Sequence, residues 1–459
     1  MERVVLNALA NVIGALPSNS LRCDAAPTLT APSANGHRLR RSRSTLRQDA
    51  HRVCCFMLLT VSKRLEFSAS RRLHVTDWSD AENLAAFGPE TNARYGSGRN
   101  YVAYFVFTGP VDPTTGMLIN ISEIKERAGK IVRERFDHKF LNEDNTSFCD
   151  LSPTAENIAR QLHIDVAPVF SDVEAKLCAC HVTESPERSA TFYFTGAGEA
   201  NYWFEFSAAR RTISPHLSAD ENARLFGPAT TLHGHNYRCR LTFREEQFHG
   251  KEPLVRYDSI ETCIRGLRTE LDHRYLNEEV VGLKERPITT ESLAGYIYER
   301  ANTMIPLHRV RLHEREDFFA EAWRNNTTFL GLQVPFHAAH RLHTAALSES
   351  ENANLYGKCN NPRGHGHRYL TETTIGGEYN ARSGTLYDFV AFRKAIEELL
   401  EPWRNRHLDL ETEDFRNAPS TGENIVRTLW PKIDNRLNQQ LVRLRLWETA
   451  NNRFTLRRT

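Results

Sequence analysis

The segment Ser348-Glu-Ser-Glu-Asn-Ala-Asn-Leu-Tyr-Gly357 has counterparts at Ser79–Gly88 and Ser218–Gly227. All three copies begin with serine, continue to a Glu-Asn pair, and end with an aromatic residue and glycine. Further landmarks recur in the same order around each copy. They are Phe67, Phe206 and Phe336 before it, then Thr154, Thr289 and Thr421, and finally Glu184, Glu314 and Glu448. Corresponding landmarks lie 130 to 139 residues apart. Since solenoid repeats run about 20–50 residues, this longer period indicates three tandem domains.

The third copy shows the secondary structure of one domain most clearly. Arg368–Ile375 and Thr385–Phe389 flank a turn rich in Asn, Ser and Gly, which predicts a β-hairpin. Phe389–Leu400 has helical spacing of its apolar residues, and Thr421 can cap a second helix. Leu441–Trp447 alternates between apolar residues and arginines, which is typical of a strand. We therefore predict the order ββααββ for each domain.

The predicted fold class is α+β, with a four-stranded antiparallel sheet and two helices on one face in each unit. Such a sheet has two open edges, which proteins pair, cover or close into a barrel. Three linked copies can join edge to edge, so we expect a closed pseudo-trimeric barrel. The predicted units span residues 61–198, 199–331 and 332–459.

The N-terminal segment differs in composition from the three units. Residues 1–56 contain eight arginines, no lysine and only Glu2, Asp24 and Asp49 as acids. An Arg-rich, acid-poor leader can be a transit peptide. Because Val4–Leu16 is only weakly amphipathic, we favour a disordered or mis-started extension over residues 1–60, with Met57 as an alternative start.

The overall composition excludes several classes of function. The 59 basic residues are nearly balanced by 57 acidic ones, so no nucleic-acid footprint is predicted. No apolar run approaches the ~20 residues that a membrane span needs. The nine cysteines form no CxxC pair, which favours a reducing, cytoplasmic setting.

Three histidines of the third unit form a candidate metal site. His365 and His367 are two residues apart on a predicted strand, so their imidazoles project from the same face. His340, at the end of the preceding strand, can supply a third nitrogen. Three histidines with one open position are the ligand set of a catalytic zinc, whereas structural zinc has four protein ligands.

Cys359 is the candidate reactive thiol. It lies in a loop rich in Gly, Asn and Pro, where the backbone can bring the thiol close to a substrate. A nearby dication would favour the thiolate, so Cys359 is a candidate general base or nucleophile. The other cysteines of the three units are interpreted as small buried apolar residues.

These residues resemble a known family. The run Tyr356-Gly-Lys-Cys359-Asn-Asn-Pro-Arg-Gly-His365-Gly-His367-Arg-Tyr369 is similar to the signature of the 6-pyruvoyl-tetrahydropterin synthases. Their sister enzymes, the 6-carboxytetrahydropterin synthases, usually place the cysteine nearer the first histidine. The resemblance covers residues 62–459 as three copies and is clearest in the third.

The resemblance implies a tunnelling fold, zinc on the three histidines and a carbon–oxygen lyase that removes triphosphate from 7,8-dihydroneopterin triphosphate. In the family a cysteine, an aspartate and a histidine move protons, and a glutamate near the C-terminus grips the pterin. That last role falls on Glu448. Thr421 and Glu423 are also predicted to bind the substrate.

The first two units depart from this pattern. The first carries Arg71, Ser97 and Arg99 at the ligand positions, so no zinc is expected there. The second keeps His233 and His235, and its third ligand is replaced by Arg210. A guanidinium could replace the charge of the metal, so we expect one metal site in the chain.

The Asp-His pair of the family shows the opposite distribution. It is present as Asp137-His138 and Asp272-His273, whereas the third unit reads Trp403-Arg-Asn-Arg-His407-Leu-Asp409. We therefore predict a composite site, with the metal and Cys359 from the third unit and the pair from a neighbour. The sequence favours Asp272-His273, then Asp137-His138, then a local replacement by His407 and Asp409.

Two other functions stay open at the level of sequence. One is a 6-carboxytetrahydropterin synthase of the queuosine and deazaguanine pathway, and the other is a non-catalytic pterin-binding scaffold. The predicted partner is a pterin triphosphate, with neither nucleic acid nor membrane. Two chains stacked face to face would form a pseudo-hexamer.

Overall fold

The computed structural model describes residues 57–459. Its folded unit comprises Leu58–Arg458. The predicted N-terminal extension falls almost wholly on residues 1–56, which lie outside the described residues, so that interpretation stays a prediction. Among the described helices, none has the length and apolar character required to cross a membrane.

Each unit combines four long strands with one two-residue strand and its own helices. The first unit contains β1 Met57–Arg71, α1 Asp80–Phe87, β2 Ser97–Thr108, α2 Ile121–Arg135, β3 Lys139–Phe140, α3 Leu141–Asp144, α4 Ala155–Val166, β4 Lys176–Thr183 and β5 Arg188–Tyr193. The second contains β6 Gly198–Arg210, α5 Ala219–Phe226, β7 His233–Glu245, α6 Tyr257–Leu271, β8 Arg274–Tyr275, α7 Thr290–Met304, β9 Arg309–Arg315 and β10 Phe318–Trp323. The third contains β11 Thr328–His340, α8 Glu349–Tyr356, β12 His365–Gly376, α9 Phe389–Leu400, β13 Arg406–His407, α10 Leu408–Glu411, α11 Gly422–Arg436, β14 Leu441–Thr449 and β15 Asn452–Arg458.

The long strands close into one antiparallel barrel of twelve strands. Within each unit the first strand pairs with the second along most of its length. The other edge of the second strand pairs with the first strand of the C-terminal hairpin. The units meet where β5 pairs with β6, β10 with β11, and β15 with β1. The predicted α+β fold and the pseudo-trimeric closure are therefore confirmed.

Strand alternation separates an outer apolar core from an inner polar face. On β14, Leu444 and Leu446 are fully buried in the core beneath the helices, while Arg443 and Arg445 project from the opposite face. The helix predicted at Phe389–Leu400 is observed with those bounds. It buries Phe392 and Ile396 completely against the sheet.

The predicted hairpin of the third unit is wrong in its second strand. Thr385 forms only an isolated bridge with Asn380, and Phe389 begins α9. The side chain of Asp388 accepts a hydrogen bond from the backbone N–H of Ala391 and so caps that helix. The connection after β12 is therefore a loop, which packs on the second unit. The Oε1 atom of Glu291 accepts the N–H of Leu386 from this loop at 3.2 Å.

The repeated Ser-x-x-Glu-Asn segment forms a short helix between the first two strands of each unit, which the order ββααββ omitted. Ser348 and Glu351 make a reciprocal capping box at the start of α8. The buried amide of Asn352 accepts the N–H of Thr344 at 2.9 Å and donates to its carbonyl at 2.9 Å. The helix ends at Gly357, whose φ of 52° favours glycine. The repeated residues therefore form the start and the end of a short helix in each unit, and their role is structural.

Candidate metal centre and active site

Three imidazoles converge at the ends of β11 and β12. His340 pairs in register with His365, and His367 lies two residues further along the same strand. Among the described residues, these three histidines are the group whose ligand atoms could share a metal ion, because those atoms lie within 4.8 Å of one another. The Nε2 atoms of His340 and His365 are 3.1 Å apart.

The surroundings leave these imidazoles in the form that binds metal. The Nδ1 atom of His340 lies 3.1 Å from the carbonyl oxygen of Ser420, to which it can donate its proton, so that Nε2 keeps its lone pair. Burial, and then the neighbouring imidazoles, lower the pKa of His365 to about 4. The Nε2 atom of His367 is buried without a hydrogen-bond partner in the described chain. These three residues fit a divalent metal ion.

Asp409 has a positioning role that the sequence analysis did not assign to it, through Ser420 and Arg341, which the sequence analysis did not single out. The side chain of Ser420 donates to Oδ2 of Asp409 at 2.9 Å, and Oδ2 also accepts the N–H of Arg341 at 2.9 Å. Asp409 thus ties the residue after His340 to the segment that holds its imidazole. No local motif signals this role, because the three residues are distant in sequence.

Glu448 and Cys359 border the cluster. The Oε1 atom of Glu448 lies 3.8 Å from Nε2 of His340 and 3.9 Å from Nε2 of His367. Burial, followed by the charge of Glu448, raises the pKa of the Cys359 thiol. The chain itself therefore favours the protonated thiol.

A loop of the first unit packs on the third unit next to the segment that carries Ser420. The N–H of Leu118 donates to Oε1 of Glu423 at 3.0 Å. The hydroxyl of Thr421 donates to the carbonyl of Gly116 at 2.6 Å, and that of Tyr356 donates to a carbonyl of the same loop at 2.8 Å. Residues from two units therefore meet next to this segment.

The two Asp-His pairs have the same geometry. The Nδ1 atom lies 3.0 Å from the aspartate Oδ2 in both Asp137-His138 and Asp272-His273. Each histidine has φ of 56°, and Asn405 takes the corresponding left-handed position in the third unit with φ of 58°. Its N–H donates to the carbonyl of His337 at 2.7 Å, as the N–H of His138 donates to that of Ser68 at 2.6 Å.

His407 and Asp409 occupy other positions of the repeat. His407 pairs with β11 where Tyr275 pairs with β6. Asp409 accepts the N–H after His340, as Asn277 accepts the N–H of Arg211 at 2.9 Å in the second unit. Asp409 is therefore the counterpart of a structural asparagine, which disfavours the local replacement considered from sequence.

The strand order shows which neighbouring unit lies beside each Asp-His pair. β2 pairs with the whole of β1 from Thr60 to Arg71, so β3 and β15 must share the other edge of β1. Asp137-His138 immediately precedes β3 and therefore lies on the side of the third unit, whose β14 carries Glu448. By the same reasoning Asp272-His273 lies on the edge of β6 that faces the first unit.

Comparison with known proteins shows to which family the chain belongs. The family model described as 6-pyruvoyl tetrahydropterin synthase matches residues 60–194, 200–325 and 331–459. The chain belongs to this family. The resemblance drawn from the segment Tyr356–Tyr369 is thus confirmed.

Individual members of the 6-pyruvoyl tetrahydropterin synthase family match about one unit of the chain. A putative 6-pyruvoyl tetrahydrobiopterin synthase of Caenorhabditis elegans is 37% identical over 122 residues, covering 26% of this chain and 87% of the relative. The human 6-pyruvoyl tetrahydrobiopterin synthase is 35% identical over 122 residues, covering 26% and 84%. The solved structure of the Caenorhabditis elegans 6-pyruvoyl tetrahydropterin synthase is 33% identical, with a TM-score of 0.28, and covers 29% of this chain and 96% of that one.

The first two synthase-like units hold a guanidinium where the third holds its first histidine. Arg71 is 1% exposed and lies 2.7 Å from Glu184. Arg210 is 3% exposed and bonds Glu314. Both glutamates are the repeat counterparts of Glu448. In the first two units an arginine–glutamate ion pair therefore stands where the third unit has His340 and Glu448.

A buried glutamate at the start of α7 predicts a pH dependence of stability. Burial raises the pKa of Glu291 to about 7 from 4.5. Because the folded pKa lies above the unfolded one, its stabilising contribution is complete below the unfolded pKa and is lost as the pH rises through about 7. This loss is on the order of 3 kcal/mol. Denaturant titrations across this window should show a flatter profile for Glu291→Gln. The exposed Glu299→Gln on the same helix is the control, and equal slopes for both variants would contradict the expectation.

Proposed function

We propose that the third unit is a zinc-dependent active site of the 6-pyruvoyl tetrahydropterin synthase type, with one composite site per chain. The substrate would be 7,8-dihydroneopterin triphosphate, from which triphosphate is eliminated. The observation that carries this proposal is the convergence of His340, His365 and His367 beside Glu448. The boundaries 61–198, 199–331 and 332–459 are our proposal for the three units.

Zinc held by the three imidazoles would act as a Lewis acid on the side-chain hydroxyls of the pterin. Glu448 would accept two parallel N–H bonds from the amino edge of the ring. Glu423 is buried, and burial raises its pKa to about 7. Its Oε1 already accepts the N–H of Leu118, so Glu423 also fixes the neighbouring loop of the first unit.

Proton transfer would use the thiol of Cys359 and an Asp-His pair. The strand order supports Asp137-His138 as that pair, in place of the pair of the second unit that the sequence favoured. Asp137 accepts the N–H of Ser68 at 2.9 Å through Oδ1 and holds Nδ1 of His138 through Oδ2. The Nε2 atom of His138 then remains for proton exchange with the substrate. Triphosphate leaves by elimination, and an internal tautomerisation gives the diketo product without an external oxidant.

The central experiment is incubation of the zinc-loaded chain with dihydroneopterin triphosphate, with triphosphate release and the pterin product followed by mass. Release of triphosphate with formation of 6-pyruvoyl tetrahydropterin supports the proposal. A 6-carboxytetrahydropterin product would indicate the sister enzyme. Pterin binding without triphosphate release would indicate a scaffold.

Replacement of one candidate ligand gives a prediction that is measured by zinc content and not by turnover. His365→Ala is expected to lower zinc from about one per chain to nearly none, because two remaining imidazoles bind weakly. Zinc per chain can be measured by elemental analysis after dialysis. His233→Ala in the second unit is the matched control, and zinc loss in that variant would contradict the single-site proposal.

The proposed partner is the pterin substrate, in a cytoplasmic setting as the cysteine pattern suggests. His138 is 83% exposed on the side chain, and His273 is 82% exposed. Both histidines are therefore exposed enough to contact a second chain, and we retain the pseudo-hexamer as a proposal. Sedimentation of the full chain would test it.

A further inference from the structure

The inner face of the barrel is lined by arginines. On β9, Val310 and Leu312 are fully buried in the core beneath the helices. Arg309 and Arg311 alternate with them and therefore project into the lumen, which is the space that the twelve strands enclose. The same alternation directs further arginines inward from β7, β14 and β15. These are Arg240, Arg244, Arg443, Arg445 and Arg453.

Three buried glutamates neutralise only part of this charge. Each is shared by two arginines or more. Glu199 contacts Arg244 at 3.1 Å and Arg309 at 2.7 Å. Glu321 contacts Arg311 at 2.5 Å and Arg443 at 3.0 Å, and Glu372 contacts Arg311 at 3.3 Å and Arg445 at 2.8 Å. The lumen therefore carries more guanidinium groups than carboxylates.

Two of the arginines have no carboxylate partner among the described residues. Arg240 lies 5.2 Å from the ring centre of Trp203, and Arg453 lies 5.6 Å from that of Tyr104. The Nε atoms of both are buried without a hydrogen-bond partner in the described chain, as is that of Arg445. A cation that is partly removed from water and has no ionic partner is unfavourable, so Arg240 and Arg453 favour a negative partner.

The neighbouring titratable groups respond to a positive potential. Burial, followed by the charges of Arg453 and Arg240, lowers the pKa of His181 to about 3. Burial, followed by Arg311 and Arg309, lowers the pKa of Arg240 to about 9. Arg445 and Arg453 lie on the paired strands β14 and β15, where Arg445 stands opposite Thr455 and Arg453 opposite Trp447. Their side chains therefore line the same part of the lumen.

We propose that the lumen is a binding site for a phosphate-type oxyanion, held by Arg445 and Arg453 on two paired strands. Their free N–H groups can donate charge-assisted hydrogen bonds to tetrahedral oxygens, and the planar guanidinium suits phosphate better than a monatomic anion. This site lies on the opposite face of the sheet from the helices and is separate from the histidine cluster. It therefore does not depend on the proposed catalytic function.

The test uses the full chain, dialysed extensively and then titrated with inorganic phosphate at constant ionic strength maintained with chloride. Saturable binding by calorimetry and a rise of the melting temperature with phosphate are expected for the wild type. Arg453→Gln should weaken phosphate binding about tenfold or more, since it removes a charge-assisted donor. Arg265→Gln, which removes an exposed arginine from the outer helix α6, should bind phosphate as the wild type does.

The stability of the variant without phosphate provides a second readout. Because Arg453→Gln removes a half-buried cation that has no carboxylate partner among the described residues, it should melt no lower than the wild type in phosphate-free buffer. A variant that melts lower in phosphate-free buffer would overturn the proposal. So would a wild type whose melting temperature depends only on ionic strength, or equal phosphate affinity in the two variants.

Discussion

His138→Ala is expected to reduce turnover of dihydroneopterin triphosphate by about 10²–10⁴-fold while zinc stays bound, because a positioned acid–base group contributes about that much. Asp137 holds Nδ1 of His138, and the pair lies on the edge of β1 that faces the third unit. Neither residue contacts the three ligand histidines. The turnover rate should therefore fall in this variant while the zinc content stays unchanged. Single-turnover kinetics and elemental analysis on the same preparation measure both.

His273→Ala is the matched control, since its pair has the same 3.0 Å contact and the same left-handed backbone. It faces the first unit, whose pocket lacks the histidines, so turnover should stay near that of the wild type. The reverse result would place the pair of the second unit at the active site. A loss in both variants would point to contact between two chains, and a loss in neither would exclude both pairs.

Arg210→His is expected to raise zinc from about one to about two per chain. His233 and His235 stand on β7 in the positions that His365 and His367 occupy on β12, and Arg210 pairs with His233 as His340 pairs with His365. The ring centres of the two remaining histidines lie 5.1 Å apart, against 4.8 Å in the third unit. The second unit thus lacks one ligand and contains one guanidinium in its place.

Arg71→His is the matched control for this gain of metal. It removes the same buried guanidinium from the first unit, but Ser97 and Arg99 stand where the other two ligands would be needed. Zinc should therefore remain near one per chain. A gain in both variants would show that zinc binds elsewhere, and no gain with Arg210→His would show that ligand identity alone does not block the second site.

Sequence patterns of short range predicted much of the third unit correctly. The spacing of His365 and His367 requires one face of a strand, and the helix at Phe389–Leu400 follows from its apolar period. The same kind of reasoning failed at Thr385–Phe389, where a capping aspartate begins a helix in place of a strand. The local pattern at this segment was compatible with a strand and with a loop that leads into a helix. The loop is observed, and it packs against the second unit.

The sequence by itself determined that three tandem units exist and that one of them carries His340, His365 and His367, a set that could hold a metal ion. These conclusions depend on residues close together in the chain or repeated at a fixed interval. Only the tertiary structure decided the order of the units around the ring. Because β15 pairs with β1, the loop at Gly116 packs on the third unit and Asp137-His138 lies on its side. Pairing of strand edges joins residues hundreds of positions apart, and no local pattern encodes which two edges meet.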